Sequence, residues 1–98
     1  MAQRDIGVGI ISLGWMGRLH ARSYRGLQER FPELGVRTNL LTACDTAEAT
    51  RTAAVEEMGF ARAVADYNEV LSDPEIDVVS ICSPNFLHRE IALAAAAA

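Results

Sequence analysis

A short apolar run, Ile6-Gly-Val-Gly-Ile-Ile11, leads straight into Ser12-x-Gly14-x-x-Gly17, and a helical pattern begins at Met16. No other feature narrows the possible folds as much. A β-branched run this short, closed by a turn, predicts a strand buried on both faces. Glycines between a strand and the start of a helix let backbone approach a pyrophosphate at Gly14 and let the helix pack closely on the strand at Gly17. That is the dinucleotide fingerprint. The competing register, Gly7-x-Gly9-x-x-Ser12, would put the turn inside the strand and is rejected. Ser12 stands where the first glycine usually makes the tight turn, and serine is tolerated there if φ stays negative. An ordinary glycine turn without a ligand is the plain alternative.

The rest of the chain alternates between the two periodicities. Residues 16–30 predict a helix with Met16, Leu19, Ser23 and Leu27 on one face and Arg18, Arg22, Arg25 and Glu29 on the other. Proline and glycine break it at 31–35. Residues 38–44 read as a second strand. Asp45-Thr-Ala-Glu48 has capping-box spacing and opens a second helix, which Gly59 ends in the left-handed position. A short strand at 60–64, a brief helix at 67–71 and a strand at 78–82 follow. Asn85 then opens a last helix that runs through the terminal alanines. Strand and helix taken in turn predict an α/β fold with a doubly wound parallel sheet.

Composition agrees with a folded domain and removes several function classes. Half of the 98 residues are hydrophobic and 22% are charged, unlike a disordered tail. A net charge of -4 argues against a nucleic-acid module. No apolar run approaches a membrane span and no signal peptide opens the chain, so a cytoplasmic location with no membrane partner is expected. Cys44 and Cys82 each end an apolar run, give neither a metal quartet nor a disulfide framework, and read as buried, inert thiols. No metal ligand set is expected. All nine basic residues are arginine, so there is no lysine to serve as an acid or base.

Two further places carry candidate site residues. Asp45, at the end of the second strand, fits an acceptor for adenosine ribose hydroxyls; a helix cap is the plain alternative, and both can hold at once. Ser83-Pro84-Asn85-Phe86-Leu87-His88 follows the fourth strand. In an open α/β sheet that loop faces the same crevice as the glycine turn, because ligands bind where strand order reverses. Asn85 as a simple helix N-cap and His88 as a surface residue are the plain alternatives.

With these features together, the chain resembles the Gfo/Idh/MocA family of glucose–fructose oxidoreductase and inositol dehydrogenase relatives. The residues that carry the resemblance are Gly-Trp-Met-Gly-Arg-Leu-His20, Ala-Cys-Asp45, Asp77-Val-Val-Ser-Ile-Cys-Ser-Pro-Asn85 and His88. The resemblance implies a Rossmann NAD(P)-binding fold and hydride transfer between nicotinamide and a sugar- or cyclitol-like alcohol. It implies cofactor binding by Ser12, Gly14, Trp15, Met16, Gly17, Asp45, Ser83, Pro84, Asn85 and His88. His20 also matches, and its place on a helix favours a structural role. Asp45 favours NAD over NADP.

Family members continue into a Glu-Lys-Pro motif and a substrate domain. The expectation is therefore that residues 1–98 are an incomplete N-terminal dinucleotide-binding domain with no catalytic residue of its own, inactive alone. Substrate contact and homo-oligomer formation would belong to the longer protein. The rivals are a non-catalytic NAD-sensing module, a methyltransferase-type Rossmann domain and a purely structural segment.

Overall fold

The computed structural model describes residues 4–98. Four strands form one parallel sheet: β1 (Arg4–Ile11), β2 (Val36–Cys44), β3 (Arg62–Val64) and β4 (Val78–Ile81), in the order β3-β2-β1-β4. The connecting helices are α1 (Trp15–Arg30), α2 (Glu48–Glu57) and α3 (Tyr67–Leu71), and α4 (Asn85–Ala97) follows β4. A short 3₁₀ turn at Pro32–Leu34 and Gly35, at φ 63°, make the break after α1. The order of strands reverses between β1 and β4, as a doubly wound sheet requires.

The alternation of β1 builds two cores. Val8 and Ile10 face α1 and α2, joining Leu13, Ala21, Leu40, Ala43, Ala54, Met58 and Phe60. Ile11 faces the other way, with Cys44, Val70 and Ile91. Gly7 and Gly9 belong to this packing and not to a phosphate loop. A Cβ on Gly7 would lie 2.0 Å from the Glu75 carbonyl oxygen, and one on Gly9 would lie 2.7 Å from Val70 Cγ1. The strand therefore admits its crossing segments only because those two positions lack side chains.

Three local expectations need correction. The core-facing side of α1 is not Met16, Leu19, Ser23 and Leu27. Gly17 and Ala21 are its buried residues, Tyr24 packs against the same core, and Met16 and Leu19 are exposed. Close approach to the sheet selects small side chains here, so a pattern weighted by hydrophobic bulk points the wrong way. The capping box at Asp45 does not form: α2 starts at Glu48, its N-cap is Ala47, and no side chain caps it. Ser12 has φ 75°, not a negative value. Smaller shifts also occur, since β2 begins at Val36, β3 at Arg62, and β4 ends at Ile81. Gly59 is left-handed at φ 86°, as expected after α2.

Among the described residues no helix is long and apolar enough to cross a membrane, and no cluster of His, Cys, Asp or Glu could hold a metal ion.

Candidate dinucleotide-binding site

The glycine turn is held from three sides. Ser12 N–H donates to the Cys44 carbonyl at 2.7 Å, and Leu13 N–H donates to Asp45 Oδ2 at 2.9 Å. Arg18 Nε reaches the Leu13 carbonyl at 3.3 Å. The turn thus leaves β1 with its backbone fixed to the end of β2. Ser12 pays the conformational price, because a left-handed backbone costs an L-residue about 1–2 kcal/mol.

Gly14 and Gly17 divide the remaining work. Gly14 is the N-cap of α1, and a Cβ built there would meet nothing within 4 Å. A Cβ on Gly17 would lie 2.1 Å from the Ser12 carbonyl oxygen. Gly17 therefore sets the approach of helix to turn, while Gly14 faces open space. The first helical bond of the turn is Arg18 N–H to the Gly14 carbonyl at 3.1 Å. The N–H groups of Trp15, Met16 and Gly17 come before that ladder begins, at the positive end of the helix dipole. No acidic side chain lies in the first turn of α1 to compete for them. Such an end suits an anion.

Asp45 has a role besides those the sequence suggested. Its Oδ2 holds Leu13 N–H, and its Oδ1 accepts from Ala47 N–H at 2.9 Å in a local turn that starts no helix cap. Each carboxylate oxygen keeps further acceptor capacity. Arg51 Nη1 donates to the carbonyls of Asp45 and Thr46, both at 3.0 Å, so a guanidinium stands beside this strand end.

Across the reversal, Cys82 N–H bonds the Ile11 carbonyl at 2.9 Å and brings the loop after β4 beside the turn after β1. Ser83 is buried, and its Oγ has no hydrogen-bond partner among the described residues. A buried hydroxyl without a partner is costly, so this one calls for a bound group or water. The N-cap of α4 is Pro84, not Asn85, and Asn85 caps nothing. Pro84, Asn85 and His88 are exposed, as are Trp15 and Met16. No acidic residue lies in the first turn of α4 either.

These 93 residues, 6–98, match the family described as the oxidoreductase family with an NAD-binding Rossmann fold, Gfo/Idh/MocA. The chain belongs to the Gfo/Idh/MocA family. Levoglucosan dehydrogenase of Pseudarthrobacter phenanthrenivorans is 38% identical over 100 residues, which cover 97% of this chain and 24% of that protein. Myo-inositol 2-dehydrogenase of Thermotoga maritima is 29% identical over 91 residues, or 93% of this chain and 25% of that protein. A solved levoglucosan dehydrogenase in complex with NADH and L-sorbose has a TM-score of 0.90 at 30% identity, covering 97% of this chain and 26% of its own. The chain thus spans about a quarter of the length of the curated relatives it matches.

In this Gfo/Idh/MocA chain, Ser12, Gly14, Trp15, Met16, Gly17, Asp45, Ser83, Pro84, Asn85 and His88 all lie at or just beyond the carboxyl ends of β1, β2 and β4. His20 lies apart from them. Its Nδ1 is 3.1 Å from Ser80 Oγ on β4, a packing contact within the fold. Two residues of the motif Asp77-Val-Val-Ser-Ile have structural roles that the sequence reading did not assign. Asp77 Oδ2 accepts Gly7 N–H at 2.9 Å, and Asp77 N–H returns a bond to the Gly7 carbonyl at 2.8 Å, which locks β4 onto β1. Ser80 is the other, signalled only by a polar residue within the apolar run Val78-Val-Ser-Ile. Both thiols are free. Burial, with Asp45 second, pushes the Cys44 thiol up to about 11, and burial raises Cys82 as well. Both thiols therefore stay protonated and weakly nucleophilic near neutral pH.

Proposed function

We propose that these residues are the nucleotide-binding part of an NAD-dependent dehydrogenase acting on a sugar- or cyclitol-like alcohol. In this reading Asp45 accepts from the adenosine ribose hydroxyls, the N–H groups of Trp15, Met16 and Gly17 hold the pyrophosphate, and Ser83, Pro84 and Asn85 line the nicotinamide side. His88 stands one helical turn further along α4. The observation that carries the reading is the buried Ser83 Oγ without a partner, set across the β1–β4 reversal from a glycine turn with open space at Gly14. The residues present fit the cofactor: an anion-seeking helix end, an acidic strand end and an unpaired donor follow the carboxyl ends of β1, β2 and β4.

Bound NAD would supply the hydride acceptor. The chain's own part is to bind and orient it, to exclude a 2′-phosphate by the charge of Asp45, and to keep the glycine turn rigid through Leu13. None of its residues is assigned the proton transfer at the alcohol. The substrate class rests on the relatives, whose names give levoglucosan and myo-inositol.

The test is NAD reduction by the full protein that carries this chain, with levoglucosan, myo-inositol and simple aliphatic alcohols as alternative substrates. Turnover with a cyclic polyol and little with the aliphatic alcohols is expected. NADH binding with no turnover of any polyol would favour a sensing module instead.

A further inference from the structure

We propose that Ser80, Tyr24 and His20 form a positioning network that sets where the N-terminal end of α1 stands relative to the loop after β4, an inference that rests on the dinucleotide reading above. Ser80 is the single polar residue of β4 and is 8% exposed. A hydroxyl buried there is tolerated only if it is bonded. Both of its side-chain partners come from α1. Tyr24 Oη lies 2.9 Å from Ser80 Oγ, and His20 Nδ1 lies 3.1 Å from it. His20 and Tyr24 are four residues apart, hence on one side of the helix. One proton order serves both hydroxyls: the Tyr24 hydroxyl donates to Ser80 Oγ, and the Ser80 hydroxyl donates to Nδ1 of His20.

The position of this network matters more than its strength. The body of α1 packs chiefly on β2, and its contact with β4 is slight. These hydrogen bonds supply a side-chain polar tie between α1 and β4, beside the backbone ladder that joins β1 to β4. His20 is one helical turn from Gly17, and Ser80 is three residues from Ser83. A slip of α1 along β4 would move the N–H groups at the head of α1 relative to the loop after β4. A ligand that touches both loops would register that slip. A ligand confined to Asp45 and the glycine turn would not. ADP and NADH are such a pair.

Calorimetric titration of the full chain with NADH and with ADP tests the proposal in Ser80→Ala, His20→Ala, His20→Asn and Tyr24→Phe. Ser80→Ala and His20→Ala should weaken NADH about five- to tenfold and leave ADP within about twofold, the scale of one or two net hydrogen bonds. His20→Asn should keep most NADH affinity, because its amide can occupy the place of Nδ1. Tyr24→Phe deletes one oxygen while keeping the ring in the core, so it serves should Ser80→Ala fail to fold. Equal losses for ADP and NADH, or no loss in either, would overturn the positioning role and leave the binding site standing. Unmutated chain that binds neither ligand would overturn the binding reading, and this inference with it.

Discussion

Asp45 Oδ2 accepts the Leu13 N–H at 2.9 Å, a bond that joins the end of β2 to the turn after β1. One carboxylate thereby fixes the shape of the glycine turn and keeps further acceptor capacity. The two tasks share one charge. A substitution here should change the turn and the cofactor preference together.

Asp45→Ala in the full chain is expected to lower NADH affinity by about tenfold or more, since hydrogen bonds to charged groups contribute about 1.5–3 kcal/mol. NADPH affinity should fall less, because the repulsion of the 2′-phosphate goes with the carboxylate, and Arg51 already stands at the same strand end. Paired titrations with NADH and NADPH measure the narrowing. Tighter binding of NADPH than NADH by the unmutated chain would refute the role given to Asp45.

Ser12 carries φ 75°, where the fingerprint usually has glycine. Ser12→Gly should relieve the left-handed strain and lose part of that gain to the greater freedom of unfolded glycine. A net stabilisation of about 0.5–1 kcal/mol is expected, read as a higher urea midpoint with an unchanged slope. A lower midpoint would mean that the serine side chain supports the turn.

Gly17→Ala has the opposite sign. Its Cβ would fall 2.1 Å from the Ser12 carbonyl oxygen and 3.0 Å from the Ser12 carbonyl carbon, both backbone atoms that cannot swing aside. The helix must move off the turn, at a cost of about 1–3 kcal/mol for such overpacking. Thermal melts of the variant should show the loss. An unchanged melt would show that α1 can shift freely on the sheet.

The sequence made the architecture legible because the alternation of apolar runs and helical patterns is a local signal repeated along the chain. The strand reversal at β1 and β4 and the left-handed Gly59 follow from it. The buried side of α1 was not legible. Gly17 and Ala21 contribute almost nothing to a hydrophobic pattern, while the exposed Met16 and Leu19 dominate it. At the site, the glycine spacing marked Gly17 as the place where α1 meets the turn, a need that arises within a few residues. The bond from Asp45 to Leu13 spans 32 residues, and the contacts of Ser80 with His20 and Tyr24 span 60 and 56. Such pairings exist only once the sheet has brought β1, β2 and β4 together.

Gly14→Val tests the central assignment most directly. A Cβ at Gly14 meets nothing in the protein within 4 Å, so the substitution should leave the circular dichroism nearly unchanged and cost the melt only about 1 kcal/mol, that of a poorer N-cap. The added side chain would instead fill the space assigned to the pyrophosphate. Calorimetric titration with NADH should then show saturable binding to the unmutated chain and binding weakened by about tenfold or more in the variant, a loss of about 1.4 kcal/mol or greater. Equal NADH affinity in the two proteins would contradict the account and place the cofactor elsewhere.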